Sequence, residues 1–197
     1  MKFNYVSYGR SGGHFLNEVL SLYIGKSAPT HLYYPDHDRN LKVKREGCFY
    51  VWRNPVKIIF SLFSAYYCNE KRKMDLSLLT DEWRYNEIDK IKKHFKFYWE
   101  HAGIVIRYKD VMNNNVWPEI LNFFKLPYDE EKILDCASKI TLDFSIKKQN
   151  SAWMHDFMTT DEYKDGRIDF ENKYKEEILR EFSDYLNKNE NYLTQSI

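Results

Sequence analysis

The feature that most constrains the fold lies at the start of the chain. An alternating apolar run, Phe3-Asn4-Tyr5-Val6-Ser7-Tyr8, meets Gly9-Arg10-Ser11-Gly12-Gly13 and then a segment, residues 14–23, with apolar residues at helical spacing. The pattern predicts strand, glycine turn, helix. A turn of this kind can aim successive backbone N–H groups at an anion held against the positive end of the helix.

A second unit of the same form begins after Gly47. Residues 48–52 read as a strand, Arg53-Asn54 as a turn, and Pro55 stands where a helix accepts its first residue. The helix carries Ile58, Ile59, Leu62 and Phe63. A third strand is expected at residues 103–107, after a long mixed-charge helix over about 81–101, with amphipathic helices near 116–124 and 129–140 and a last helix near 171–187. Strands alternating with helices predict an α/β fold on a parallel sheet. No repeat or low-complexity linker interrupts the chain, and 43% hydrophobic residues suffice for one core, so a single domain over residues 1–197 is expected. The polar, aromatic stretch from Thr141 through Trp153, His155, Phe157 and Tyr163 to Gly166 reads as a loop that closes over a ligand.

Charge and cysteine content narrow the function classes. Thirty basic and 29 acidic residues give a net charge of +1, so no global field holds a nucleic-acid backbone, and any anion site is local. The run Lys42-Val43-Lys44-Arg45 reads as a solvated face. Cys48, Cys68 and Cys136 lack C-x-x-C spacing and are expected to be reduced and buried, with no metal site. No run of about 18 apolar residues and no signal segment is evident, which predicts a cytoplasmic protein without a membrane span. No heptad pattern specifies an oligomeric state.

The first loop is not a Walker A loop, because that pattern needs a lysine after its last glycine and Gly13 is followed by His14-Phe15. Gly25-Lys26-Ser27 falls at the end of the first helix, the wrong end for a phosphate. Arg53 and Ser61 stand eight residues apart, about two helical turns, so both can face one phosphate from one side of a helix.

Tyr8-Gly9-Arg10-Ser11-Gly12-Gly13-His14-Phe15 resembles the 5′-phosphosulfate loop of sulfotransferases that use 3′-phosphoadenosine-5′-phosphosulfate (PAPS). Arg53-Asn54-Pro55, with Ser61 eight residues after the arginine, looks like the family's 3′-phosphate motif. Thr30-His31-Leu32 is similar to its T-H-L segment, 22 residues before that arginine. Arg107-Tyr108-Lys109-Asp110 resembles its R-Y-E-D signature, and Lys164-Asp165-Gly166-Arg167 is a looser echo of its R-K-G-K loop. Gly13 and His14 replace two threonines, and Asp165 interrupts the basic pair.

The resemblance implies a three-layer α/β/α architecture of the P-loop type and a transfer of the sulfuryl group from PAPS to a hydroxyl or amine, leaving the bisphosphate PAP. It implies that Arg10, Ser11, Gly12, Gly13, His14 and Phe15 hold the 5′-phosphosulfate, with Arg10 beside the bridging oxygen. It gives the 3′-phosphate to Arg53 and Ser61, the adenine to Phe15, Tyr108 and Phe144, and closure of the site to Lys164, Gly166 and Arg167. His31 is the first choice of general base, since an imidazole with a pKa of about 6.5 suits neutral pH; Asp36 and His37 are its rivals. The G-R-S-G form of the loop resembles that of carbohydrate sulfotransferases and points to a saccharide acceptor, whereas the T-H-L segment points to a small-molecule acceptor of the phenol or steroid kind. A P-loop nucleotide kinase and a PAP-binding module without turnover are the alternatives.

Overall fold

The computed structural model describes residues 4–7, 13–25, 30–32, 48–68, 73–101, 104–140 and 157–186. They fall into two compact units, each assembled from two stretches of chain: residues 1–53 with 94–145, and residues 54–93 with 146–197.

The first unit is built on four strands, β1 (Asn4–Ser7), β2 (Thr30–Leu32), β3 (Cys48–Trp52) and β4 (Ile104–Arg107). All neighbours are parallel, in the order β2-β1-β3-β4. Parallel strands need crossover connections and bury both faces, and β3 shows the consequence in an unbroken buried run, Tyr50, Val51 and Trp52. Alternation divides that run between the two faces. Val51 and its register partner Ile106 join one hydrophobic cluster with Leu16, Val19, Leu20 and Tyr23 of α1 (Gly13–Ile24), Trp117, Ile120 and Leu121 of α5 (Trp117–Phe123), and Ile133, Cys136 and Ala137 of α6 (Glu130–Lys139). Tyr50 and Trp52 instead meet the last turns of α3 (Asp81–His101). Tyr50 stacks on Tyr98 at 5.5 Å and bonds His94 Nδ1 through its hydroxyl at 3.1 Å, while Trp52 stands edge-on to Phe95 at 5.6 Å. Burial, with Tyr98 adding to it, pushes the Tyr50 phenol far above its ordinary range, so the bond to His94 involves a neutral hydroxyl.

The helices around the cluster are set by local chemistry. The buried residues of α1 recur at helical spacing, and the helix stops where Gly25 takes φ +69° and returns its N–H to the Ser21 carbonyl at 3.0 Å, a left-handed cap that suits glycine. The Gly25-Lys26-Ser27 triplet therefore begins with a helix stop, as its position in the sequence implies. Tyr23 fastens α1 to the start of α6: its hydroxyl donates to the Pro127 carbonyl (2.5 Å) and accepts from the Asp129 N–H (3.0 Å), and Asp129 caps α6 by accepting from the Lys132 N–H (3.0 Å).

The second unit is helical: α2 (Pro55–Phe63), which runs into a π-helical turn (Ser64–Cys68), the first part of α3, α7 (Asp161–Glu181) and α8 (Ser183–Leu186). Asn54 caps α2, its side-chain oxygen accepting from the Val56 N–H at 2.9 Å, with Pro55 at the first helical position as expected. Phe60 of α2 packs on Tyr163 and Phe170 of α7. Arg84 of α3 is buried; it bonds Asp81 and reaches Glu177 of α7 in two contacts, at 2.9 and 3.2 Å.

The expected closing loop requires correction. Residues 141–156 lie outside the described residues, but from Asp161 onward the chain is helix, ten residues before the expected start. Thr160 caps it by accepting from the Tyr163 N–H, Asp161 and Glu162 occupy its first turn, and Tyr163, Gly166, Phe170, Tyr174 and Ile178 make its buried stripe. Cys68 and Cys136 are buried free thiols. Among the described residues no helix is long and apolar enough to cross a membrane.

Candidate functional site

Because all four strands are parallel, their carboxyl ends share one edge, and the strand order marks a place on it. From β1 the chain steps to β2 on one side; from β3 it steps to β4 on the other. Connections that diverge from adjacent strands leave a crevice at the carboxyl ends, where ligands bind in open parallel sheets. Here that switch point lies between β1 and β3. β1 ends there at Ser7, α1 begins at Gly13, and Arg53 directly follows β3.

The first turn of α1 contains no acidic residue to neutralise the partial positive charge of its free N–H groups. Gly13 and His14 open this helix, and Phe15 is half-buried against the core cluster. One strand over, Trp52 pairs with Arg107, which brings the next residues of both strands together. The Arg53 guanidinium carbon lies 5.0 Å from the centre of the Tyr108 ring. Both residues are half-buried, and Tyr108 packs on the same cluster as Phe15. A cation over an aromatic face keeps its charge while its position is fixed.

Tyr108 is itself held in place. It is the first residue of α4 (Tyr108–Met112), and Arg107 and Asp110, flanking it, form a two-pronged ion pair, Nη2 to Oδ1 at 2.8 Å with Nε on Oδ2. The R-Y-K-D segment is thus a fork that closes the end of β4 and sets the tyrosine beneath Arg53. Neither the fork nor the Arg53–Tyr108 pair is visible in the sequence.

The remaining expected site residues are distributed as follows. Arg10, Ser11, Gly12 and Phe144, with Asp36 and His37, lie outside the described residues. His31 is the middle residue of β2, in register with Tyr5 of β1. Arg53 precedes the cap residue Asn54 and so is not part of α2; the two-turn spacing that was to align it with Ser61 on one helix does not apply. Ser61 is 5% exposed, within the second unit.

Lys164, Gly166 and Arg167 are in the first turns of α7, not in a loop. Lys164 is paired with Asp161 (2.8 Å) and Arg167 with Glu171 (3.7 Å). Gly166 is buried under Met74, and a Cβ at this position would stand 2.2 Å from Met74 Cγ. Its lack of a side chain serves packing within the second unit.

Among the described residues no three His, Cys, Asp or Glu side chains converge as metal ligands would. No protein-family model matches the chain, and no curated protein matches it at a significant level.

Proposed function

We propose that the first unit binds a 3′-phosphoadenylyl nucleotide at the carboxyl edge of its sheet and that the chain is a PAPS-dependent sulfotransferase. The observation that carries this reading is the switch point between β1 and β3: the strand that precedes the glycine-rich segment pairs with the strand that precedes Arg53, an arginine seated on a tyrosine, and a helix begins at Gly13. Cover on both faces of β3, by α1, α5 and α6 on one side and by the last turns of α3 on the other, supports a three-layer α/β/α arrangement.

In this reading the N–H groups of residues 11–15 receive the 5′-phosphosulfate, and Arg10 stabilises charge on the oxygen that bridges phosphorus and sulfur. The acceptor oxygen attacks sulfur in line, its proton passes to His31, and the bridging S–O bond breaks to release PAP with the electron pair on its 5′-phosphate. Arg53 takes the 3′-phosphate, and Phe15, Tyr108 and Phe144 form the adenine wall. Ser61, Lys164, Gly166 and Arg167 belong to the second unit and receive no role.

Calorimetric titration with PAP, against ATP and 5′-AMP without magnesium, tests the nucleotide site. Tight binding restricted to PAP is expected. Arg53→Ala should weaken it at least about tenfold, the value of a charge-assisted hydrogen bond, whereas Arg10→Ala should mainly lower turnover. Equal affinity for all three nucleotides would refute the reading; preference for ATP would favour a kinase.

A further inference from the structure

The second unit carries an aromatic cluster that reaches its surface. α2 continues past Phe63 into the π-helical turn Ser64–Cys68, a rare geometry that recurs where function needs a side chain re-aimed. On this turn Tyr66 is 68% and Tyr67 37% exposed. Tyr67 stacks on the fully buried Phe63, with ring centres 5.5 Å apart and planes at 29°. Trp83, from the first turn of α3, stands edge-on to Tyr67 at 5.6 Å and meets Phe63 at 6.1 Å. Its backbone N–H bonds the Thr80 hydroxyl at 3.2 Å, so the ring rides on a capped helix end.

At these separations the three rings touch, which excludes a cage with a cation between them; a ligand can lie only on the outer faces. Asp81 and Glu82, both exposed, precede Trp83 in the same turn. Asp81 Oδ1 is taken by Arg84 at 2.8 Å, so it is the charge of Glu82 that disfavours a phosphate-bearing ligand, and the carboxylate oxygens not held by Arg84 accept hydrogen bonds from hydroxyl groups.

We propose that Tyr66, Tyr67 and Trp83 form a stacking platform for a neutral saccharide, which lays the apolar face of a sugar ring on the aromatic rings and donates its hydroxyls to the neighbouring carboxylates. The platform belongs to the second unit alone and does not depend on nucleotide binding by the first.

The test is saturation-transfer NMR and calorimetry on the full chain with cellotetraose and N-acetylchitotetraose, and with tetrathymidylate for comparison. At least one tetrasaccharide should bind. Tyr67→Ala and Trp83→Ala should each weaken binding about tenfold, and Tyr85→Ala, an exposed ring seated on Arg84, should leave it unchanged. Tyr66→Ala decides the matter should the other two fail to fold, since so exposed a ring contributes little to stability. The proposal is overturned if neither saccharide binds at about 10 mM. It is overturned equally if the folded platform variants bind like the parent, or if the oligonucleotide binds as well as the sugars.

Discussion

Replacing Gly166 by alanine separates a packing glycine from a loop glycine. On an open helix face the change would stabilise by about 1 kcal/mol, because glycine loses more backbone freedom on folding. At Gly166 the new methyl would lie 2.2 Å from Met74 Cγ, 3.2 Å from its Cβ and 3.3 Å from its sulfur. Met74 cannot retreat without loss: its backbone N–H donates to Glu162 Oε1 at 2.8 Å, and the Cys68 thiol lies 3.6 Å from its sulfur. Overpacking of this kind costs about 1–3 kcal/mol, so after the helix gain Gly166→Ala should destabilise by about 1 kcal/mol. With Met74→Ala the offending atoms are gone and the same substitution should become stabilising, giving a coupling of about 2 kcal/mol in a double-mutant cycle. Urea unfolding followed by circular dichroism, with PAP titration alongside, reads both quantities. Stabilisation of the parent by Gly166→Ala, or an additive cycle, would refute the packing account. Loss of nucleotide affinity at unchanged stability would restore the loop role that the sequence implied.

Two further outcomes follow from charges in the second unit. The Arg84 side chain is 4% exposed, its partners Glu177 and Asp81 25% and 79%. Burial lowers the guanidinium pKa, and its partners, Glu177 first and then Tyr85 and Asp81, together more than reverse that, so the charge is kept and Glu177 is its main partner. Glu177→Ala should cost about 2–3 kcal/mol after allowance for its partial exposure, and Asp81→Ala under about 1 kcal/mol; equal losses on urea unfolding would contradict the assignment. The hydrogen bond and charge of Lys164 hold the Asp161 carboxyl below its ordinary 3.8. A depressed carboxyl pKa contributes stability that is present above the unfolded value and disappears as pH falls through the folded one. Asp161→Asn should therefore lower stability at pH 7 and leave it unaltered once both forms are protonated, and a pH-independent difference would rule that attribution out.

Elements with a long or repeated pattern were legible in the sequence. The span of α3 and the bounds of β3 agree with expectation because each is flanked by strong local signals, an acidic first turn in one case and Gly47 with Pro55 in the other. β2 escaped notice because three residues carry no periodicity; only pairing with β1 makes Thr30–Leu32 a strand. The first turns of α7 were misread because Gly166 and the polar residues around it look like a loop, while their tertiary partner, Met74, is distant in sequence. The spacing of Tyr163, Gly166, Phe170, Tyr174 and Ile178 was present, but it becomes a stripe only once glycine is counted as a buried position. Arg53 and Tyr108 could be singled out because each directly follows a strand, yet their contact depends on the register of β3 with β4, which neither segment encodes alone.

Strand order matters more to the candidate site than any single residue. Alternating strands and helices specify a parallel sheet but leave its order open. With β1 and β3 adjacent, the strands that precede the glycine-rich segment and Arg53 lie about 4.8 Å apart, one strand spacing, and the next strands in sequence lie on opposite sides of the pair. Had β2 lain between them, the same residues would sit about 10 Å apart with another crossover between them, and a glycine turn and an arginine would remain two unrelated features. In the proposed function, that adjacency is what lets one nucleotide meet both. The Arg53→Ala titration is therefore also a test of the β1–β3 pairing.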